Sequence, residues 1–301
     1  MARAARASLA PKLDGRRFGR WIALLAAPAG PRRDHLRPIG MFPVSDDNPT
    51  LRTPIVTYGL LAVTLLVWLV AEGGGGLLSG DAYKMAVAVC NYGLVPGELT
   101  GRAPVGFALP MGPGLACLVD RDPINWYTPV LSIFLHGGWM HLIGNSLYLW
   151  VFGNNVEDSM GRLRFLAFYL ICGVAAAAAH VLVSPASPVP TVGASGAISG
   201  VLGAYLVLYP RVRVRIFVPP FFLFRVAAWM MLIWWFVTQV LTGLPELSPL
   251  RRDISGGVAV WAHVGGFLAG LLLIKVFDNP RLVAKRAEIR EIEHPRTRAS
   301  W

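Results

Sequence analysis

Charge is scarce in this chain of 301 residues: 15% are charged and 54% hydrophobic, where an ordinary soluble domain carries about 25% charged residues. With a mean hydropathy of +0.52, that deficit excludes a soluble globular domain. It leaves an integral membrane protein, one helical membrane domain with polar tails. Acidic residues are the scarcer sign, 17 Asp and Glu against 28 Lys and Arg, for a net charge of +11. Nucleic acid is not the expected partner, because the basic residues lie in tails and between apolar runs, as cytoplasmic segments do. Anionic lipid headgroups fit that charge better. Cysteine is nearly absent, and no Cys/His group has metal-ligand spacing, so neither metal nor cofactor is expected. Cys172 falls in an apolar run and reads as a small core residue. Cys90 and Cys117 share one long loop in which a disulfide is open to them, although spacing alone leaves their pairing undecided.

What is present is a series of apolar runs. Residues 1–52 form a basic tail carrying Arg16, Arg17, Arg20, Arg32, Arg33 and Arg37. Its one apolar piece, Trp21–Ala27, is too short to span a bilayer and lacks a signal-peptide cleavage pattern. Its Arg/Ala bias is shared with mitochondrial transit peptides, a secondary reading, and Met41 is an alternative start. A first span runs from about Pro54 to Ala71 and is ended by Gly73–Gly76. A long stretch to about Thr128 follows, with apolar pieces of its own that suit a semi-ordered interfacial loop. Further spans are expected at about Trp139–Phe152, with a possible start near Val130, and at Phe165–Val183, Ser195–Tyr209, Val226–Leu241 and Gly256–Phe277. A six-span domain over 53–278 and a charged tail over 279–301, with Lys285, Arg286 and Arg290, complete the chain. Arg211, Arg213, Arg215 and Arg225 make the loop after the fourth span the most basic internal one. Six spans put both termini on one side, and the basic segments fall on that side too, so both termini are read as cytoplasmic.

Strongly polar side chains inside apolar spans are costly and mark function. His141 and Asn145 are four residues apart on one face of the second span. Ser195 opens the fourth span, within Thr191-Val-Gly-Ala-Ser-Gly-Ala-Ile-Ser-Gly200. His263 lies about a third of the way down the sixth, roughly 10 Å from its outer end at 1.5 Å per residue. The six-span topology brings all four to one depth near the outer side. Gly196 and Gly200 on the fourth span, and Gly266 and Gly270 on the sixth, allow the two backbones to approach. A serine hydroxyl is a poor nucleophile until a base takes its proton, and His263 is the available base. His141 and Asn145, with the Ser195 backbone N–H, suit a developing oxyanion. No carboxylate lies within a span to orient His263, so a dyad is expected rather than a triad. Glu157 and Asp158, at the far end of the second span, read as capping groups or partners of Arg162 or Arg164. His180 reads as interfacial, and the Trp-rich fifth span as lipid-facing bulk that moves to admit substrate.

Taken together, His136-x4-His141-x3-Asn145, Gly193-Ala-Ser-Gly196 and Ala262-His263 followed by Gly266-x3-Gly270 resemble the rhomboid family of intramembrane serine proteases. The resemblance covers about Pro54 to Phe277, with the motifs in the family's order. It implies an all-α bundle of six spans with a long outer first loop, and cleavage of transmembrane protein substrates in the bilayer. By the same resemblance Ser195 is the nucleophile, His263 the base, His141 and Asn145 the oxyanion donors, and His136 a structural support of the first loop. A bacterial inner membrane is the implied location. Two positions depart from the family pattern. Its Trp-Arg pair would fall near Trp126-Tyr127, where the Arg is missing, and an aromatic often found four residues after the serine is Ser199 here. Tyr205, further along that helix, is expected to pack against a neighbouring span, with the dyad within its reach.

The alternative within the family is a catalytically inactive rhomboid-like protein that binds or chaperones membrane proteins. Such a protein is expected to lose Ser195 or His263, and both are present. A small transporter using buried His and Asn is expected to show internal repeats, and none is visible.

Overall fold

The structure is a computed structural model describing residues 42–76, 83–112, 115–119, 126–220, 222–247 and 259–293. The basic residues through Arg37, the alternative start at Met41 and the expected beginning of the last apolar run at Gly256 lie outside these. The fold is mainly helical, built on α1 (Ile55–Val70), α2 (Trp139–Tyr148), α3 (Arg162–Val183), α4 (Ser195–Leu208), α5 (Ala228–Gly243), α6 (Val260–Phe277) and a final α7 (Pro280–Glu293). Among the described residues, three helical stretches are long and apolar enough to cross a membrane: α3, α5 with the 3-10 turn that extends it to Leu247, and α6. Two shorter helices, α1 and α4, are also apolar. After Tyr148, α2 passes through a π-helical turn at Leu149–Gly153 into a further helix, Asn154–Met160.

The centre is α3, α4 and α6, packed almost backbone to backbone. A Cβ added at Gly266 would lie 2.0 Å from the Gly196 carbonyl oxygen, and one at Gly270 would lie 1.9 Å from that of Gly200. At Gly203 it would meet the Phe267 oxygen at 2.2 Å. The contact register rises together on both helices, so α4 and α6 run parallel and start at the same end. On α3 the register runs the other way, with Cys172 against Gly200 and Ala176 against Gly196. Ala179 of α3 in turn meets Gly265 of α6. Only glycine and alanine permit such spacing, and in an apolar solvent close packing has to supply what hydrophobic burial does in water. A cluster of Phe152, Phe165, Phe168, Tyr169, Val201, Leu202 and Tyr205 fills the space around this centre.

Two small sheets modify the all-α expectation. β1 (Phe42–Asp46) lies within the stretch read as a tail and pairs antiparallel with β4 (Arg213–Val218), which pairs with β5 (Phe222–Ala227). The cause is legible in Arg211-Val-Arg-Val-Arg-Ile216, a strict period of two. Val212, Val214 and Ile216 are buried, while Arg215 and Arg225 reach Asp47 at 3.6 and 3.8 Å. The other sheet, β2 (Ala108–Gly112) with β3 (Leu115–Leu118), sits between α1 and α2 in the chain. There Cys90, on a short helix Tyr83–Tyr92, is disulfide-bonded to Cys117 of β3.

At the end of the bundle away from Ser195, Glu157 caps α1. Its carboxylate accepts the Val56 and Thr57 N–H groups at 3.1 and 2.8 Å and the Thr57 hydroxyl at 2.8 Å, where the helix dipole favours a negative charge. Asp158 accepts the Leu51 N–H at 2.6 Å and pairs with Arg52 at 3.3 Å. Arg164 instead donates to the Asp278 carbonyl. Tyr205 is also at this end, hydrogen-bonded to Asp46 and edge-on to Phe152. Ten residues along α4 place it roughly 15 Å from Ser195, so it packs against a neighbour, as expected, but away from the Ser195–His263 pair.

Candidate active site at the head of α4

Ser195 is the first residue of α4, reached through Gly193 at φ +128°. A Cβ on Gly193 would fall 2.7 Å from Nε2 of His141 and 3.6 Å from Nδ2 of Asn145. Glycine is required there twice over, by backbone conformation and by the two side chains that occupy the space. The chain entering the site is anchored on both flanks. The Gly193 N–H donates to the Ser132 carbonyl at 2.8 Å, and Thr191 pairs with Leu94 through two backbone bonds. His180 lies 3.1 Å from the Thr191 hydroxyl, so this residue, read as interfacial, helps to hold the approach to Ser195.

The Ser195 hydroxyl oxygen is 2.7 Å from Nε2 of His263. His263 is 9% exposed, and Ser195 is half-buried. The other imidazole nitrogen, Nδ1, lies 2.8 Å from Oε1 of Gln239 on α5. Trp235, one turn earlier on α5, sets its ring 5.8 Å from the imidazole at 38°. Ser199, standing where the family pattern often has an aromatic, folds back to donate to the Ser195 carbonyl at 2.6 Å. Neither Gln239 nor Trp235 stands out on a helix that is apolar nearly all round. The one available signal was an amide inside an apolar run, which has to find a partner.

The second cluster is built on α2. Asn145 is 9% exposed, and its Nδ2 lies 2.9 Å from Nε2 of His136, which is fully buried. The His136 and His141 rings meet edge-on with centroids 5.0 Å apart. At His141, Nδ1 faces the Gly137 N–H at 3.5 Å, which leaves the ring proton on Nε2, beside Gly193. The loop that carries His136 is fixed by Glu72, two residues past α1, whose carboxyl oxygens take the His136 N–H at 3.0 and 3.2 Å. Burial pushes the Glu72 carboxyl up to about 8, against the lowering effect of that N–H. Gly73, Gly74 and Gly75, all in the left-handed region, fold the chain over the buried Trp68 just beyond it. Trp139 at the head of α2 donates to the Gly74 carbonyl at 3.0 Å. The structure thus brings together Ser195, His263, His141, Asn145, His136 and Gly193, with Gly196, Gly266 and Gly270 beneath them.

A family model for the rhomboid domain matches residues 123–279, about half of the chain. The chain belongs to the rhomboid family. Among similar proteins, it is 31% identical over 153 residues to Rhomboid protease GluP of Bacillus subtilis, covering 51% of this chain and 24% of that one. It is 30% identical over 154 residues to Rhomboid-like protein 11, chloroplastic, of Arabidopsis thaliana, covering 50% and 51%. With Rhomboid protein 1, mitochondrial, of Saccharomyces cerevisiae, identity is 34% over 166 residues, covering 52% and 43%. The chain therefore spans a quarter to a half of these rhomboid relatives. The matched region contains all nine of these site residues, while Glu72 and the glycines that close over Trp68 lie N-terminal to it.

Proposed function

We propose that this protein is an intramembrane serine endopeptidase that cleaves transmembrane protein substrates within the lipid bilayer. In this reading α1 to α6 are six spans, both termini are cytoplasmic and Ser195 opens toward the outer side. The disulfide between Cys90 and Cys117 supports that orientation, since disulfides persist on the oxidising side. The observation that carries the activity is the 2.7 Å approach of the Ser195 oxygen to the His263 nitrogen.

The chemistry follows from these positions. The Ser195 oxygen attacks the scissile carbonyl carbon while Nε2 of His263 takes the hydroxyl proton. The tetrahedral oxyanion receives hydrogen bonds from Asn145 Nδ2, His141 Nε2 and the Ser195 N–H. That backbone group, in the first turn of α4, has no partner within the helix and lies at its positive end. Collapse of the intermediate returns the proton from His263 to the leaving amine and leaves an acyl ester on Ser195. Water, deprotonated by the same imidazole, then attacks the ester and frees the serine. His136 and Glu72 act at one remove by fixing Asn145 and the loop before α2.

Cleavage of a labelled single-span polypeptide in proteoliposomes tests the reading. Wild-type protein is expected to cut it, and Ser195→Ala and His263→Ala to leave it intact. A Ser195→Ala variant cutting at the wild-type rate contradicts the assignment.

A further inference from the structure

We propose that Gln239 of α5 is the positioning residue for His263, a third member of the catalytic set supplied by a helix that carries neither the nucleophile nor the base. The inference rests on the protease reading above. To take the Ser195 proton, Nε2 must present its lone pair, so the imidazole hydrogen has to sit on Nδ1. That hydrogen needs an acceptor, and Oε1 of Gln239 lies 2.8 Å away. The bond fixes both the tautomer and the ring angle, the task that an orienting carboxylate performs in the serine–histidine–aspartate arrangement. A neutral amide does it without a charge in the apolar interior, whose cost would have to be met elsewhere.

Two further observations place this contact in a continuous stripe. Trp235, Gln239 and Gly243 recur every four residues on α5. Trp235 faces the imidazole at 5.8 Å, and a Cβ on Gly243 would touch the Trp261 ring at 3.0 Å. The stripe thus meets α6 at successive turns, with Gln239 in the middle. Meanwhile Ser199 is turned away to the Ser195 carbonyl, which leaves Trp235 as the aromatic ring that packs on His263. Among the described residues, the ionisable groups near enough to act on this imidazole are His141 and His180, and neither contacts Nδ1 in place of Gln239.

Gln239→Met keeps the length and the packing of the side chain and removes the acceptor. Gln239→Glu keeps an acceptor and adds charge. Both are tested as full-length protein in proteoliposomes, by cleavage of the labelled polypeptide and by the rate at which a fluorophosphonate modifies Ser195, which needs no substrate. For Gln239→Met, kcat and the modification rate are expected to fall about 10- to 100-fold, part of the roughly 10²- to 10⁴-fold that a positioned base contributes, with KM within about two-fold. For Gln239→Glu, kcat should recover toward wild type and the acid limb of the pH–rate profile should move to higher pH, a shift that a packing role does not produce. Wild-type kcat and pH profile in Gln239→Met overturn the inference. So does a Gln239→Glu variant as slow as Gln239→Met, or one with an unmoved acid limb, and this second variant decides the matter if Gln239→Met does not fold. Should Ser195→Ala cut as well as wild type, the protease reading itself fails. If Ser195→Ala is inactive while Gln239→Met is unimpaired, only the role of Gln239 falls.

Discussion

Helices α4 and α5 both bring a group to the His263 imidazole, and they are held in opposite ways. α4 lies against α6 backbone to backbone, with Gly196 over Gly266 and Gly200 over Gly270. α5 meets α6 through the side chains of Trp235, Phe236 and Gln239. Most of the rest of α5, including Trp229, Trp234, Val237 and Leu241, is exposed. The distance from the Ser195 hydroxyl to the His263 imidazole is therefore set by a contact that cannot yield, because backbone atoms meet there. On its other side the imidazole meets α5 through side-chain contacts that a small movement of α5 would release. Rigidity belongs to the Ser195–His263 contact and adjustability to the Gln239 contact on the other ring nitrogen.

The largest effect is expected on the α4 side. Gly266→Ala puts a methyl group where the Gly196 oxygen sits, and neither helix has a flexible side chain to move aside. Overpacking of this kind costs about 1–3 kcal/mol or more. A displacement of about 1 Å between reacting groups is expected to lower kcat roughly 100-fold. A thermal melt in detergent and the proteoliposome assay check both, and a Gly266→Ala variant with wild-type rate and melting point would show that the contact yields after all.

The next effect concerns the cross-linked loop between α1 and α2, which leans on the chain before Ser195 through the Leu94–Thr191 bridge. Cys90→Ser opens a loop with a sequence separation of 27 and is expected to cost about 3.5 kcal/mol of stability by the loop-entropy estimate. The α4–α6 distance, set elsewhere, is left alone. Residual activity below the lowered melting point should accordingly stay near wild type, whereas equal losses of stability and rate would place this loop inside the rigid unit.

A smaller effect is the pH dependence contributed by Glu72. Its carboxyl titrates at about 8 when folded, raised by burial from a value of 4.5. The folded protein thus holds a proton that the unfolded chain has lost between those values. The stability from this group is fully present below about pH 4.5 and is lost as pH rises through about 8. Melting temperatures between pH 5 and pH 9 should decline with a slope that Glu72→Gln flattens; identical slopes would mean that Glu72 is ionised in the fold. Smallest of all is Trp234→Leu on the exposed face of α5, expected within about 0.5 kcal/mol in stability and two-fold in rate. A larger loss there would show that α5 is held as firmly as α4.

Much of this was legible from residue order. Long apolar runs bounded by Gly and Pro marked α1 to α5 within a few residues, and α6 at its C-terminal end. Polar residues inside those runs picked out Ser195, His263, His141 and Asn145, which the structure brings together. The illegible parts have physical causes. α5 is apolar nearly all round, so periodicity could not say that Trp235 and Gln239 face inward while Trp234 faces out. Glu72 and Glu157 take their meaning from partners 64 and 100 or more residues away. In Arg211–Ile216 the positive charge masks an alternation of period two, so a strand stands where a basic loop is expected.

Whether Ser195 is a nucleophile activated by His263 is decided by peptide mapping by mass spectrometry after fluorophosphonate treatment of the folded protein. A single adduct on Ser195 is expected, formed readily by wild type and at a strongly reduced rate by His263→Ala. An adduct on another serine, or equal modification of Ser195 with and without the histidine, would contradict it.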